Sequence, residues 1–135
     1  MTDHINVWLT IFPIGDSDPL HLPVRNLEQA FPFYVQYLGC TIVNREDHPC
    51  KEVILQRDKV RLVLAENGGN PDDHSYAVSV SDVDGFYQEL YAQSLDISDI
   101  RLDTYGNQTY RVFFLRAPDG LCFCFTQPTQ DKEEN

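Results

Sequence analysis

The four cysteines are the residues whose chemistry is most directly limited by their spacing. Cys40, Cys50, Cys122 and Cys124 show none of the paired spacings of a zinc knuckle. Cys122 and Cys124 stand two apart in a predicted strand, so their side chains point to one face and an extended backbone disfavours a disulfide between them. The sequence shows no cation or helix N-terminus placed to stabilise a thiolate. We therefore expect reduced thiols that fill positions for small residues.

Other reactive arrangements are also missing from the sequence. It contains no Ser/His/Asp arrangement, no paired carboxylates and no phosphate-binding glycine loop. Lys and Arg number 10 against 21 Asp and Glu, a net charge of −11. This charge argues against nucleic acid or an anionic membrane as a partner, because both require a basic surface. It is typical of solubility, and the sharper alternative is a cleft for a cationic ligand.

Length and targeting signals narrow the class of protein further. A chain of 135 residues that is 42% hydrophobic buries an ordinary core, which predicts a single domain over residues 1–135. The first residues lack the positive charge of a secretory signal, and no apolar run is long enough to span a bilayer. We therefore expect a cytoplasmic protein.

A strand that runs into a capped helix occurs twice and must position any site. In the first copy Leu20–Arg25 alternates between apolar and polar residues, Asn26 is a helix cap and Gly39 a stop signal. In the second copy Tyr76–Ser81 alternates in the same way before the cap Asp82. Each copy continues into a meander of strands, which predicts two modules of the α+β class, each with one uncovered sheet face.

The predicted boundaries are module one at about 18–66, a linker at about 67–73 and module two at about 74–127. A strand at about 5–12 has no counterpart in module two, and it either covers a sheet edge in its own subunit or adds to that of another. The end at about 128–135 is predicted to be a flexible tail.

Within module two the strength of the pattern varies. Residues 96–102 are predicted as a weak strand, 103–108 as a loop and 109–115 as a strong strand. Pro118-Asp119-Gly120 then predicts a tight turn.

Three segments together resemble the glyoxalase/bleomycin-resistance/dioxygenase superfamily, also called vicinal oxygen chelate. They are Leu20–Gly39, Ser79–Leu90 and the turn Ala117–Gly120, and the resemblance covers about residues 19–127. It implies two tandem βαβββ modules that form a cup-shaped mixed sheet with the helices outside. Ala117 replaces the usual Asp of that turn, and Cys40 replaces the usual aromatic after Leu-Gly. Both departures loosen any assignment to a subfamily.

The resemblance also implies where a metal would bind. Metal-dependent members place ligands, typically His and Glu, at four positions that here read Pro19, Val63, Ser75 and Cys124. Only Cys124 has a side chain that would ligate zinc, nickel, manganese or iron. We therefore expect no cofactor and no metal ligand.

A shifted register would instead offer His21 and His74 as a metal pair. His74 would then need a bulge, because a slip of one residue turns a side chain to the other face. No carboxylate occurs at either closing-strand position to complete the set.

If no metal is bound, the resemblance implies a cup that is lined by small and mildly polar side chains. Strand alternation places these residues on its inner face: Arg61, Val63, Ala65, Ser75, Ala77, Ser79, Cys122, Cys124 and Thr126. The candidate walls and rim acids are Trp8, Phe12, His21, Tyr105, Tyr110, Arg111, Glu46, Asp47 and Asp103. The predicted ligand-binding residues are His21, Arg61, Tyr105, Tyr110, Arg111, Cys124, Trp8 and Asp103. A cationic, partly aromatic small molecule would stack on such walls and pair with the acids.

The function implied is that of the bleomycin-resistance branch. Such a protein sequesters a drug or metabolite without transforming it, and the family implies a homodimer with clefts shared between subunits. One alternative is a metal-dependent lyase, isomerase or dioxygenase with a shifted ligand set. Another is a protein whose paired sheets serve only assembly, with a cup closed by side chains.

Overall fold

The computed structural model describes residues 6–14 and 21–129. Its elements follow the predicted order of a strand, a helix and a meander, twice over. They are β1 (Trp8–Ile14), β2 (Leu22–Pro23), α1 (Leu27–Gln36), β3 (Thr41–Glu46), β4 (Glu52–Arg57), β5 (Val60–Ala65), a 3₁₀ turn (Pro71–Asp73), β6 (Ser75–Val80), α2 (Val83–Tyr91), β7 (Arg101–Tyr105), β8 (Gln108–Arg116) and β9 (Cys122–Pro128).

The strands form a larger sheet in the order β1-β6-β9-β8-β7 and a smaller sheet in the order β2-β5-β4-β3. Apart from β1 the two orders are the same, since the first strand of each module pairs with its last. That pairing is parallel in both modules, β2 with β5 and β6 with β9, whereas the meander strands pair antiparallel. The prediction of two βαβββ modules in mixed sheets is therefore confirmed.

Both predicted helix caps are present. The side chain of Asn26 accepts a hydrogen bond from the backbone N–H of Gln29 at 3.1 Å, and that of Asp82 accepts one from Gly85 at 3.0 Å. Gly39 follows α1 with φ of 76°, a conformation that glycine adopts without strain. The strand before α1 is shorter than predicted, because only Leu22–Pro23 pairs in the sheet. Leu20 lies outside the described residues.

The N-terminal strand covers an edge of its own chain. β1 pairs antiparallel with β6, with Thr10 opposite Ser79 and Phe12 opposite Ala77. It extends two residues beyond the predicted 5–12, through Pro13, which is tolerated because β1 is an edge strand. Residues 15–20, which follow β1, lie outside the described part of the chain.

The predicted loop at 103–108 is wrong, because its first three residues belong to β7. Tyr105 pairs with Gln108 across a two-residue hairpin in which Gly106 has φ of 59°. A glycine with positive φ at the first turn position favours such a tight turn, and this signal outweighs the loop composition. Asp103 and Tyr105 therefore lie on an edge strand of the larger sheet.

The C-terminal end of the described chain stays in the sheet. Pro128 closes β9, and the N–H of Thr129 donates to the carbonyl of Thr109 at 2.9 Å. These are the first two residues of the predicted tail, and residues 130–135 lie outside the description.

A single aromatic core joins the modules. Tyr34 of α1 reaches the larger sheet, where its ring centroid lies 5.9 Å from that of Phe123. The guanidinium of Arg57 donates to the carbonyls of Leu38 and Asn6 at 2.8 and 3.0 Å. It also lies over the rings of the core residues Trp8 and Phe86, at 5.3 and 5.1 Å from their centroids. Neither described helix has the length and apolar character needed to cross a lipid bilayer.

Candidate ligand-binding face

The larger sheet has one face toward the helices and one away from them. Large aromatic residues such as Phe113, Phe123 and Phe125 occupy the helix side and are almost fully buried. We call the other side the open face. Cross-strand pairing and alternation place there Thr10, Phe12, Ile14, Ser75, Ala77, Ser79, Arg101, Asp103, Tyr105, Tyr110, Val112, Phe114, Cys122, Cys124 and Thr126. For β6 and β9 this is the partition predicted from alternation.

The centre of the open face is built from small side chains. The hydroxyls of Thr10 and Ser79 lie 3.1 Å apart and hydrogen-bond across β1 and β6. Ala77 stands between Phe12 and Cys124 in the strand register and is only 6% exposed, because its larger neighbours shield it. The result is a shallow polar floor with Phe12 on one side.

At the β7–β8 end of the open face, an ion pair lies against an aromatic ring. Arg101 Nε lies 3.2 Å from Asp103 Oδ1, and the guanidinium carbon lies 5.0 Å from the ring centroid of Phe114. Tyr110 stands opposite Asp103, and Tyr105 at the hairpin is 78% exposed. Tyr105, Tyr110 and Asp103 are thus brought together as predicted residues of one site.

Sequence reasoning missed Arg101 and Phe114. Strand alternation along β8 places Phe114 on the face of Val112, so the pattern was present in the sequence. Arg101 was missed for a different reason, since β7 was predicted to end at about residue 102 and its pairing with β8 was not foreseen.

The thiols on this face are poor nucleophiles. Burial, followed by the charge of Asp103, raises the pKa of Cys124 to about 11. Burial also raises the pKa of Cys122. Both side chains therefore stay protonated at neutral pH, and a protonated thiol is a poor nucleophile.

The positions where the family resemblance implies a metal do not fit a divalent cation. Pro19 lies outside the described residues, Val63 has no donor atom and Ser75 offers a neutral hydroxyl, so among the described positions Cys124 alone has a side chain that would ligate. Across residues 6–14 and 21–129, no group of three His, Cys, Asp or Glu side chains is arranged to hold a metal ion. A site built on His21 and His74 would thus have no third such ligand from this part of the chain.

Two predicted wall residues lie on the other side of the sheet. A register shift between Trp8 and Thr10 reverses the alternation of β1, so Trp8 is fully buried between Phe86 and Phe125, with ring centroids 5.9 and 5.5 Å away. Arg111 alternates toward α2, where its Nη2 lies 2.7 Å from Asp84 Oδ1. Trp8 and Arg111 are therefore not walls of the open face, and that prediction is wrong.

The remaining predicted residues lie on the smaller sheet. Arg61 is exposed and donates to Gln56 Oε1 at 2.9 Å, and His21 is exposed just before β2. Glu46 stands opposite Glu52 on the same side of this sheet, which places two like charges together. The eight predicted ligand-binding residues thus divide between two sheets and the core.

Comparison with known proteins gives one matching family model and several solved structures of similar fold. A family model described as Glyoxalase/Bleomycin resistance protein/Dioxygenase superfamily matches residues 16–125. A search of curated proteins gives no match. TnmS3, described as an antibiotic binding protein from Streptomyces sp. CB03234, has a solved structure that is 21% identical with a TM-score of 0.69, over 86% of this chain and 99% of that one.

Two further solved structures are similar in the same way. A bleomycin resistance determinant encoded on the transposon Tn5 is 24% identical with a TM-score of 0.68, over 85% of this chain and 99% of that one. A glyoxalase/bleomycin resistance protein/dioxygenase from Alicyclobacillus acidocaldarius is 21% identical with a TM-score of 0.68, over 90% and 97%. At these identities the likeness establishes the fold.

Proposed function

Because the chain belongs to the glyoxalase/bleomycin resistance protein/dioxygenase superfamily, we propose that it binds a small drug or metabolite on its open face, as a homodimer, without transforming it. The observation that carries the proposal is the open face itself, a floor of small polar side chains flanked by Phe12, Phe114 and Tyr105. Small molecules bind in concave sites that combine apolar surface with a few polar groups, and the proposed dimer would make the shallow open face concave. The antibiotic-binding and bleomycin-resistance descriptions of two similar structures support a drug-like ligand.

The ligand we propose is a partly aromatic cation. Tyr105 is 78% exposed and offers a ring for stacking. Arg101 already pairs with Asp103, so a ligand cation would exchange with Arg101 at that carboxylate. The net charge of −11 raises the local concentration of cations around the protein.

A second copy of the chain is the proposed cover for the exposed apolar side chains of β1. Leu9, Phe12 and Ile14 are 37%, 46% and 46% exposed. β1 is the last strand at its edge of the larger sheet in the described chain, so its outer backbone groups remain available for pairing. A symmetric dimer would cover these groups and turn a shallow face into a cleft. All four cysteines are free thiols, which fits the reducing cytoplasm as the proposed location.

A thermal-shift screen tests the binding function. Bleomycin-like glycopeptides and planar cationic dyes are compared with neutral and anionic analogues at low and moderate salt. A ligand at a hundredfold excess over Kd adds about 2.7 kcal/mol to the free energy of unfolding, and we expect a shift of this kind confined to the cations and reduced by salt.

Matched variants locate the binding. Tyr105→Ala and Asp103→Asn should reduce the shift, whereas Tyr91→Ala, which removes another exposed tyrosine from the outer side of α2, should not. Equal shifts with anionic compounds would exclude the charge argument. An absence of shift with every compound would favour a role in assembly alone.

Two measurements separate this function from its competitors. Elemental analysis near one zinc, nickel, manganese or iron per subunit, lost in His21→Ala or His74→Ala, would replace the proposal with a metal-dependent enzyme. Sedimentation velocity at micromolar concentration should give a dimer, and a monomer would remove the shared cleft.

A further inference from the structure

The segment that joins β5 to the 3₁₀ turn carries a residue pair that the proposed function does not use. Asn67 is followed by Gly68, and it is the one asparagine of the chain that a glycine follows. Both residues are exposed at the tip of this segment. The nitrogen of the next peptide can close a five-membered ring with an asparagine carboxamide, so the pair is reactive where the fold permits that approach.

The two ends of the tip are anchored to the segment that enters α1. Glu66 Oε2 accepts a hydrogen bond from the N–H of Leu27 at 2.7 Å, and Asn70 Oδ1 accepts one from Arg25 Nη2 at 2.6 Å. Anchored ends limit the conformations of the residues between them. The arrangement at Asn67 is therefore held by the fold.

The side chain of Asn67 is folded back over the backbone that follows it. Its Oδ1 accepts a hydrogen bond from the N–H of Gly69 at 2.9 Å. This bond closes a ring that contains the backbone nitrogen of Gly68, and so it keeps the carboxamide carbon Cγ beside that nitrogen. The N–H of Gly69 also points at the oxygen on which negative charge would develop if the nitrogen attacked Cγ.

The backbone nitrogen of Gly68 is accessible for such an attack. Gly68 has φ of 87°, and a Cβ added to it would meet nothing within 4 Å. Among the residues that the structure describes, none accepts a hydrogen bond from its N–H. The contrast is Asn26, where the N–H of the next residue, Leu27, is held by Glu66 at 2.7 Å. The reaction is thus favoured at Asn67 by three features of the fold and not by its sequence alone.

We propose that Asn67 and Gly68 form a site of self-modification through a succinimide. The Gly68 nitrogen gives its proton to water and forms a bond to Asn67 Cγ. The Cγ–Nδ2 bond then breaks, and the carboxamide nitrogen takes up a proton from solvent and leaves as ammonia. Water adds to either carbonyl of the ring and opens it to aspartate or isoaspartate, which places a new carboxylate beside Glu66. The reaction needs no ligand and is independent of the proposed function of the open face.

Hydroxylamine tests the inference, because it opens the succinimide and cleaves the chain between Asn67 and Gly68. The full-length protein and an unstructured peptide of residues 64–71 are incubated with hydroxylamine at mildly alkaline pH, and the products are followed by mass spectrometry. We expect fragments 1–67 and 68–135, formed at least as fast as the peptide is cleaved, since the fold positions and polarises the amide. Slower cleavage in the folded protein than in the peptide would overturn the inference.

Three variants assign the cleavage to this geometry. Gly68→Ala places a methyl group beside the attacking nitrogen and should slow cleavage by about tenfold or more. Gly106→Ala is the matched control, because Gly106 also has a positive φ, of 59°, and nothing within 4 Å of an added Cβ. It should carry a similar backbone strain and leave the cleavage rate unchanged. Asn67→Gln keeps a carboxamide but would need a larger ring, and should abolish cleavage.

Two results with these variants would overturn the inference. One is an equal cleavage rate in the native protein, Gly68→Ala and Gly106→Ala. The other is the same pair of fragments from Asn67→Gln.

Discussion

Cys124 and Phe125 are adjacent on β9 and show how differently the two faces of one strand are used. Phe125 is fully buried, and its ring centroid lies 4.9, 5.3 and 5.5 Å from those of Phe86, Phe113 and Trp8. Cys124 is half-buried and lies between small Ala77 and Phe114 in the strand register. One face is closed by aromatic packing, and the other leaves space. The core packing that stabilises the fold and the proposed ligand-binding face thus lie on opposite sides of the same strand.

The largest expected effect comes from the closed face. Phe125→Ala removes a ring at the centre of four aromatic contacts and should lower the free energy of unfolding by about 3–5 kcal/mol. Urea denaturation of this variant and of Cys124→Ala measures the difference between the faces. If the two substitutions cost the same, the contrast between a closed and an open face is wrong.

The sequence predicted which residues of β9 lie on each face of the larger sheet, but it did not predict the face of every residue in β1. Alternation along β9 placed Cys122 and Cys124 opposite Phe123 and Phe125, because period-two patterning is a local property that the pleat preserves. The same reasoning failed for Trp8, because a bulge in β1 depends on pairing with a strand about 70 residues later.

The side-chain hydrogen bonds that connect distant parts of the chain could not be predicted from the sequence. Arg57 and Arg61 look alike in the β4–β5 hairpin, yet only Arg57 joins α1 and the N-terminal segment. Asn6 gave no signal in the sequence, since its burial depends on how the N-terminal segment passes α2. The module order was predictable because it repeats, whereas these contacts occur only once.

Substitutions of Arg57 and Arg61 test the difference between a buried and an exposed side chain in a second pair of variants. Arg57→Met leaves the carbonyls of Leu38 and Asn6 without their donor and removes a cation from the rings of Trp8 and Phe86. We expect a loss of about 2–4 kcal/mol in the free energy of unfolding. Arg61→Met, on the exposed side, should change it by less than about 0.5 kcal/mol. Thermal and urea unfolding of both variants checks this, and similar losses would contradict the division between faces.

A third prediction concerns Asp119 in the turn before β9. Burial raises the pKa of its carboxyl, and its charge opposes ionisation of Tyr34 in the core. An acid with a raised pKa in the folded state binds its proton more tightly there, so its stabilising contribution is full below the unfolded-state pKa and is lost as the pH rises through the folded-state pKa. Asp119→Asn should therefore be more stable than the native protein at pH 7, and the gain should vanish in acid.

The control for Asp119→Asn is Asp47→Asn, which makes the same change of charge at an exposed residue after β3. Melting temperatures of both variants between pH 3 and pH 7 separate a local effect of burial from the relief of general repulsion. A gain of equal size in both variants would assign the effect to net charge.

The smallest effect on stability, and the closest test of the open face, comes from Cys124. Its pKa of about 11 lies two units above the value of 9.0 for a free thiol, so at pH 8 its thiolate fraction is about a hundredfold lower. In a variant that retains Cys124 as its single cysteine, alkylation by iodoacetamide should be slower than in the matched variant that retains only Cys50. The difference should be smaller than that factor, because partial burial and the charge of Glu52 raise the pKa of Cys50 as well. Fast alkylation at pH 8 would mean that Cys124 sits in a more polar or cationic environment than the structure gives it. Slow alkylation that rises tenfold per pH unit up to about pH 11 is the outcome expected of a thiol that lines a binding face without reacting.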